Sequence, residues 1–312
     1  MIFKVPLIIL LSCLIYTGTF AGTSRHEPEV VSDSLENCKQ CLLLAEQAGH
    51  RIAIADVPSG RIIWDWTASG SNIKPEDAKW FSNISEVKPV YGNKYLLITA
   101  SGGGVALIRI QDKRAVFYAY AGGNTHSAEL LPDGNIVAAS STGNYLTVFC
   151  TDSIGTGQGY SKRIPIEFGH NVVLDRKTKL LWSAAMSKLK GFRYNGDKVQ
   201  PDLILEKQIE LPGKDAHDLF PVYGAHALWF TNTTGVYKID MDSWEIKPAT
   251  FNQPNIKSVS SGPAGYPIVL VRPKQSWWTD TIVDLDDHVV FSLKGLKIYK
   301  ARWLLKNTFS YR

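Results

Sequence analysis

The chain has 312 residues, of which 45% are hydrophobic and 20% are charged, and its formal net charge at pH 7 is +5. This ordinary globular composition provides enough apolar material for a large core and argues against extensive disorder. Basic and acidic residues are interspersed without a lysine or arginine run. The composition therefore argues against a nucleic-acid partner and leaves small anionic ligands and glycans as candidates.

The first 21 residues have the pattern of a secretory signal peptide. Lys4 precedes an apolar run from Val5 to Tyr16, and small residues lead to a cleavage position after Ala21. Because the run is too short to span a bilayer and polar sequence follows it, we expect no retained transmembrane segment. The sequence therefore predicts a periplasmic or secreted protein.

The N-terminus has a second interpretation, because the Leu-Leu-Ser-Cys pattern that ends at Cys13 resembles a bacterial lipoprotein box. In that case Cys13 carries a lipid anchor. We favour cleavage after Ala21, since the residues that follow Cys13 are apolar for a lipoprotein tether. We expect a flexible N-terminal segment at 22–37 and a single domain at 38–312.

Three further cysteines, Cys38, Cys41 and Cys150, cannot form a complete disulfide framework because their number is odd. The fold must therefore depend on its apolar core. Cys38 and Cys41 have the spacing of a redox motif, but no strand-turn-helix pattern follows them. We predict that the cysteines are structural, with a local disulfide between Cys38 and Cys41, and redox or metal chemistry is the alternative.

Short apolar runs bounded by Gly, Asn, Asp and Pro recur along the chain, which predicts an all-β protein. One module repeats, in which a first strand and a tight turn lead to a more apolar strand that begins ten residues after the module's first residue. Successive modules start 40, 44, 47 and 41 residues apart, the period of a four-stranded propeller blade. The modules begin at Glu86, His126, His170, His217 and, in a weaker copy, Ser258.

The two ends of the chain determine the number of blades. Segments 41–47, 51–56 and 61–66 supply only three strands, and segment 298–305 has the character of the missing inner strand. Pairing the chain ends in one blade closes the ring without exposed sheet edges. We therefore predict a six-bladed β-propeller of four-stranded blades, with a short helix or loop at 69–81. A β-sandwich and a seven-bladed ring are the alternatives.

Three of the seven histidines are predicted to meet at one end of the central channel, because His126, His170 and His217 begin equivalent inner strands. Such imidazoles can bind a divalent metal, for which Mn, Ca and Zn stay open, hold an anion or transfer protons. The alternative is that each histidine only bonds the backbone of a neighbouring blade. No nucleotide cofactor is expected, since the glycine-rich segment 101–104 opens no helix.

The loops between the second and third strands open on the same face, where function usually lies in a propeller. The last of these loops joins two tryptophans to two cations, a combination suited to stacking a sugar ring and neutralising its acid group. The alternative interpretation of this loop is that one tryptophan packs into the core and the other lies at the rim. The catalytic candidates are Lys274, Arg272 and His170. The predicted ligand-binding residues are Glu46, Gln47, Glu86, Arg272, Lys274, Trp277, Trp278 and Arg302.

Segment 45–56, the strand Ile62-Ile-Trp64 and the histidine-led inner strands resemble exported propeller proteins of Bacteroidota, a largely uncharacterised family. The likeness covers nearly the whole mature chain. In architecture the chain also looks like the propeller polysaccharide lyases of the oligogalacturonate lyase type. That resemblance implies that the three histidines and Gln47 hold a divalent ion, while Lys274 or Arg272 binds the acid group or acts as base.

These patterns predict an exported monomer that binds or acts on an acidic oligosaccharide at a histidine-lined channel mouth, with metal-dependent lyase chemistry. In a lyase, the metal stabilises the charge that develops as the proton beside the carboxylate is removed. The alternative is a non-catalytic scaffold that presents Trp277 and Trp278 to a glycan or a protein. A lactonase is a weaker interpretation, because Glu86 alone matches its pattern of carboxylate and asparagine ligands.

Overall fold

The computed structural model describes residues 38–151 and 159–310, together with Met1 and Leu35. The rest of the predicted signal peptide, the alternative lipid attachment at Cys13 and almost all of segment 22–37 lie outside these residues. No helix in the described part of the chain is both long and apolar enough to cross a membrane. The described segments contain 24 strands and one short 3-10 helix, Ala78–Phe81.

The strands form six antiparallel sheets of four strands each, which are the blades of a propeller. In chain order the strands are β1 (Cys41–Glu46), β2 (Arg51–Asp56), β3 (Arg61–Thr67), β4 (Ile84–Val90), β5 (Tyr95–Ala100), β6 (Gly104–Arg109), β7 (Arg114–Tyr120), β8 (Thr125–Leu130), β9 (Ile136–Ser140), β10 (Tyr145–Phe149), β11 (Ser161–Pro165), β12 (Val173–Asp175), β13 (Leu180–Ala185), β14 (Lys188–Tyr194), β15 (Leu203–Glu210), β16 (Asp218–Pro221), β17 (Ala227–Thr231), β18 (Val236–Asp240), β19 (Ile246–Pro248), β20 (Ser258–Ser260), β21 (Val269–Val271), β22 (Thr281–Val283), β23 (Val289–Ser292) and β24 (Ile298–Trp303). From the inner strand outward, the first blade is β24-β1-β2-β3, and the other five take four consecutive strands each, from β4 onward.

The module found in the sequence corresponds to the two inner strands of a blade. The second strands β9, β13 and β17 begin at Ile136, Leu180 and Ala227, each ten residues after the start of its module, and β5 begins one residue earlier than that spacing predicts. The predicted fold class, an all-β propeller of six four-stranded blades, is confirmed, and the sandwich and seven-bladed alternatives are wrong.

The two ends of the described chain share the first blade. β24 pairs antiparallel with β1, from Leu42 opposite Trp303 to Glu46 opposite Ile298. The predicted closure of the ring is therefore confirmed. This pairing joins residues more than 250 positions apart in the chain, and it covers the edge of β1 that would otherwise be exposed.

The apolar core lies between neighbouring sheets. Trp64 and Trp66 of β3 are buried there, and their indole N–H groups donate to the carbonyls of Ile110 (3.2 Å) and Lys113 (3.0 Å) in the second blade. These bonds satisfy the polar atom of each ring while its apolar surface is removed from water. Each blade therefore depends on its neighbour for stability.

Cysteine chemistry adds one local link to this core. Cys38 and Cys41 form the predicted disulfide at the start of β1, and Cys150 is a free thiol. A disulfide between residues only three positions apart constrains the unfolded chain little. The packing between blades, rather than the disulfide, therefore stabilises the ring.

The face at which the inner strands begin is called the upper face here. It carries the loops that enter each inner strand and those that join the second to the third strand, including the loop at 272–280 and the short helix Ala78–Phe81. The opposite, lower face carries the turns between the first and second strands. The upper face is where the sequence predicts function.

Candidate functional site

The three predicted histidines lie side by side at the upper end of the channel. The ring centroids of His126 and His170 are 4.5 Å apart, and those of His170 and His217 are 5.7 Å apart. His126 lies near the start of β8, while His170 and His217 precede β12 and β16. Inner strands that radiate from one axis thus bring together imidazoles that are more than 40 residues apart in the chain.

Two further residues, Tyr299 and Lys257, complete this group, and neither was predicted from the sequence. The hydroxyl of Tyr299 in β24 donates to Nδ1 of His126 at 3.1 Å, and Nε2 of His126 lies 3.0 Å from Oδ1 of Asn124. With these partners, His126 carries its proton on Nε2. We call His126, His170, His217, Lys257 and Tyr299 the upper mouth.

Lys257 joins the upper mouth from the loop before β20. Its Nζ atom lies 3.1 Å from Nε2 of His217. Ser258, which the repeat aligns with the histidines, instead accepts a hydrogen bond from the backbone N–H of Ala301 at 3.1 Å. In the sixth blade the residue that reaches the mouth is therefore Lys257, one position before the residue that the repeat aligns with the histidines.

The pKa values of the mouth residues are set first by burial. Burial, together with the charge on Lys300, lowers the pKa of His126 to about 3, and burial with the charge on Lys257 lowers that of His217 to about 3. The pKa of His170 also lies well below its usual value because of burial and the two other histidines. The three imidazoles are therefore neutral at physiological pH.

Lys257 behaves differently from the imidazoles. Burial and the charge on Lys300 lower the pKa of Lys257 to about 8, so most of its ammonium groups keep their proton at pH 7. No carboxylate forms an ion pair with Lys257 among the residues the structure describes. The upper mouth therefore carries an uncompensated positive charge next to neutral imidazoles.

Below the mouth, the channel is filled by a buried ion network. Arg302 pairs with Glu86 (Nη2 to Oε1, 2.8 Å) and with Asp218 (Nη1 to Oδ2, 2.9 Å). Lys300 lies 3.2 Å from Asp218, and Lys88 lies 3.4 Å from Glu129. Glu86 and Arg302, two of the predicted ligand-binding residues, are thus fully buried and bonded to each other.

Glu46 and Gln47, also predicted to bind ligand, lie where the first blade closes. The carboxylate of Glu46 accepts backbone N–H groups of Ala48 (2.7 Å), Gly49 (2.9 Å) and Lys297 (3.0 Å). These bonds hold the turn after β1 against the segment that enters β24. Gln47 contacts Trp277, whose indole N–H donates to its Oε1 at 3.0 Å.

The remaining predicted residues lie in the loop 272–280 of the upper face. Arg272 donates to Asp287, and Lys274 donates to Asp280 at 2.9 Å and to the hydroxyl of Thr281 at 2.6 Å. Both cations are therefore compensated by carboxylates of their own blade. In this loop Trp277 is 53% exposed and Trp278 is half-buried, which agrees with one ring at the rim.

The arrangement of the three histidines does not fit a bound divalent ion. Both nitrogens of His126 already have partners, and the Lys257 ammonium faces Nε2 of His217. Within the described ranges, the single group of three His, Cys, Asp or Glu side chains with ligand atoms within 4.8 Å of one another is Asp284, Asp286 and His288, in the turn between β22 and β23. We derive no chemistry from a metal at the mouth.

Two nitrogens of the mouth point instead to a different kind of ligand. Nδ1 of His170 and Nδ1 of His217 are both buried and have no hydrogen-bond partner. Because Nε2 of His217 faces the Lys257 ammonium, which can only donate, the proton of His217 lies on Nδ1. A buried N–H without an acceptor is costly, so an acceptor atom from a ligand would stabilise this group, provided that the side chains covering it move aside.

Comparison with known proteins identifies the family. The model of a family of unknown function (DUF6528) matches residues 3–312. The chain belongs to DUF6528. No curated protein matches the sequence significantly. The site must therefore be interpreted from its own residues.

Solved structures share the fold of this DUF6528 protein at low sequence identity. A protein of unknown function from Bacteroides caccae is 15% identical with a TM-score of 0.54, and the match covers 86% of this chain and 99% of that one. A putative 6-phosphogluconolactonase from Bacteroides uniformis is 12% identical with a TM-score of 0.50, covering 85% and 99%. Virginiamycin B lyase from Staphylococcus aureus, crystallised with quinupristin, is 13% identical with a TM-score of 0.50, covering 85% and 86%. These likenesses establish the fold alone.

Proposed function

We propose that the upper mouth binds the carboxylate of an acidic carbohydrate. The observation that carries this proposal is the unpartnered, buried Nδ1–H of His217 next to the ammonium group of Lys257. Both groups are hydrogen-bond donors, and one of them is charged. A carboxylate supplies a negative charge and an acceptor for the ammonium group of Lys257, and another oxygen of the same sugar can accept from Nδ1, because the two ring nitrogens of an imidazole point in different directions.

The charges around the mouth support an anion rather than a metal ion. In the network below the mouth, the cations Lys88, Lys300 and Arg302 are matched by three carboxylates, Glu86, Glu129 and Asp218. Lys257 adds a positive charge above this balanced network. A second cation at the same position would be repelled, whereas an anion is attracted.

A sugar acid fits this surface better than a small inorganic anion does. Beyond its carboxylate, a sugar acid presents hydroxyl groups that form hydrogen bonds with polar side chains, which a small inorganic anion does not. The mouth also offers neutral imidazoles and the hydroxyl of Tyr299, which can bond sugar hydroxyl groups. The proposal includes the predicted export, because acidic polysaccharides are extracellular polymers, and cell fractionation tests that location.

Metal-free lyase chemistry at the same site is the second candidate, and the pKa of Lys257 favours it. A pKa of about 8 gives a measurable fraction of free amine near neutral pH, which suits a general base. In such a reaction the amine of Lys257 removes the proton beside the bound carboxylate, and the electron pair of that C–H bond forms a carbon–carbon double bond. The bond between the next carbon and the glycosidic oxygen breaks, and that oxygen takes up a proton from the Lys257 ammonium group or from water. The unsaturated product absorbs ultraviolet light, so turnover is directly measurable.

Calorimetric titration with galacturonate, glucuronate and neutral galactose at pH 7 tests the binding proposal. We expect the two acids to bind and galactose not to bind, and we expect Lys257→Met to abolish the preference for the acids. Equal binding of galactose would contradict the proposal. If the acids bind only after a divalent ion is added to protein treated with chelator, the proposed anion site is wrong and the metal site predicted from the sequence is supported.

A further inference from the structure

The upper face has a second feature next to the mouth, centred on the indole ring of Trp277. We propose that Trp277 and Lys297 form a separate sugar subsite, so that the ligand is an acidic oligosaccharide longer than one unit. This inference rests on the proposed function, because the first unit is the one held at the upper mouth. It adds the length of the ligand and the position of its next unit.

The ring of Trp277 is exposed but fixed in place. It is 53% accessible to solvent, yet its indole N–H donates to Oε1 of Gln47 at 3.0 Å. The amide of Gln47 is itself held, because its Nε2 donates to the carbonyl of Ile84 at 3.2 Å. An aromatic surface that is already ordered loses little conformational entropy when a sugar stacks on it.

An unpaired cation lies beside the ring of the next residue, Trp278. Lys297 is exposed, its Nζ lies 4.9 Å from the centroid of the neighbouring Trp278 ring, and no carboxylate pairs with it in the part of the chain that the structure describes. By contrast, Arg272 and Lys274 in the same region are compensated by Asp287 and Asp280. Lys297 is therefore the cation that remains available for the acid group of a second sugar.

The loop that carries the subsite is attached to the strand that enters the upper mouth. The backbone N–H of Ile298 donates to the carbonyl of Thr279 at 2.7 Å, and the N–H of Thr279 donates to the carbonyl of Ile298 at 3.1 Å. Ile298 lies between Lys297 and Tyr299, so these two bonds attach the Trp277 loop to the strand that enters the mouth. A chain of linked sugars can therefore extend from the mouth onto this loop.

Binding of monomers and trimers separates the subsite from the mouth. We expect trigalacturonate or trimannuronate to bind more tightly than the corresponding monomer. Trp277→Ala should weaken binding of that trimer by about tenfold and leave monomer binding unchanged, and Trp277→Phe should restore most of the loss. Lys297→Met should weaken binding of the same trimer and leave binding of its monomer unchanged. Tyr223→Ala, an exposed aromatic residue on the lower face, is the matched control and should change neither affinity.

The outcomes identify which proposal fails. If a monomer binds but its trimer binds no more tightly, or if Trp277→Ala weakens both equally, the subsite is wrong while the mouth proposal stands. If neither monomers nor trimers bind, the proposed function fails and the subsite fails with it. Thermal unfolding of each variant shows whether a loss of affinity reflects a loss of folded protein.

Discussion

The Nζ atom of Lys257 lies 3.1 Å from Nε2 of His217, and no carboxylate compensates this ammonium group among the described residues. The contact makes Nε2 an acceptor, so the ring proton of His217 lies on the buried Nδ1 atom, which has no partner. The upper mouth therefore combines a buried donor that has no acceptor with an ammonium group that has no carboxylate partner. The predictions that follow depend on this pair and on the charges below it.

Removal of the Lys257 charge should weaken binding of a sugar acid. We expect Lys257→Met to lower the affinity for galacturonate by at least about tenfold, because a charge-assisted hydrogen bond contributes about 1.5–3 kcal/mol. Titration calorimetry at pH 7 measures the effect. Lys162→Met is the matched control, since Lys162 forms an exposed ion pair with Asp202 at the outer edge of a blade and should leave the affinity unchanged.

Binding of the acid should also weaken at alkaline pH. The pKa of Lys257 is lowered to about 8, so its ammonium group loses its proton as the pH rises through that value, while the sugar carboxylate stays ionised. We expect the galacturonate affinity to be constant between pH 6 and pH 7 and to fall by up to about tenfold per pH unit above pH 8. A flat profile up to pH 10 would contradict the role of Lys257, and Lys257→Arg should shift the decline upward.

The buried histidines should make the protein sensitive to acid. The pKa values of His126 and His217 are about 3 in the folded protein and 6.5 in the unfolded chain, so the unfolded chain binds more protons between these values. The free energy of unfolding should therefore fall as the pH drops from 6.5 towards 3, by about 1.4 kcal/mol per pH unit for each imidazole. Urea unfolding at pH 7, 5.5 and 4.5 measures the slope, which His126→Gln should reduce. An unchanged slope in that variant would show that His126 is not buried in its neutral form.

The ion network below the mouth should be needed for folding of the ring. Arg302→Met leaves Glu86 and Asp218 buried without their main partner, and we expect it to lower the free energy of unfolding by about 3–5 kcal/mol. Arg193→Met breaks an exposed pair with Glu206 and should leave the free energy of unfolding nearly unchanged, because exposed ion pairs contribute little. Urea unfolding of both variants at pH 7 gives the comparison, and equal losses would mean that Arg302 is not buried as described.

The blades could be predicted from the sequence because each one repeats the same local pattern. Turn residues and apolar strands recur at nearly constant spacing, so the start of β9 at Ile136 and that of β13 at Leu180 follow from their modules alone. The meeting of His126, His170 and His217 follows from the same register. A repeat fixes both the fold and the groups that occupy equivalent positions in it.

The partners of the histidines could not be predicted in this way, because the register is locally irregular. Lys257 lies one position before the aligned Ser258, and a β-bulge in β4 shifts the pairing between Ile84 and Glu86. The pairing of Arg302 with Glu86 joins residues more than 200 positions apart, which no local pattern encodes. Tyr299 could have been found by aligning segment 298–305 with the other inner strands.

Nuclear magnetic resonance of the histidine side-chain nitrogens, labelled with nitrogen-15, tests the central claim most directly. Variants at each position assign the resonances. Before the acid is added, we expect the proton of His217 to lie on Nδ1. We expect galacturonate to shift the Nδ1 resonances of His217 and His170. Unchanged resonances with galacturonate, together with shifts on addition of Zn²⁺, Mn²⁺ or Ca²⁺, would contradict an anion site and favour a metal centre.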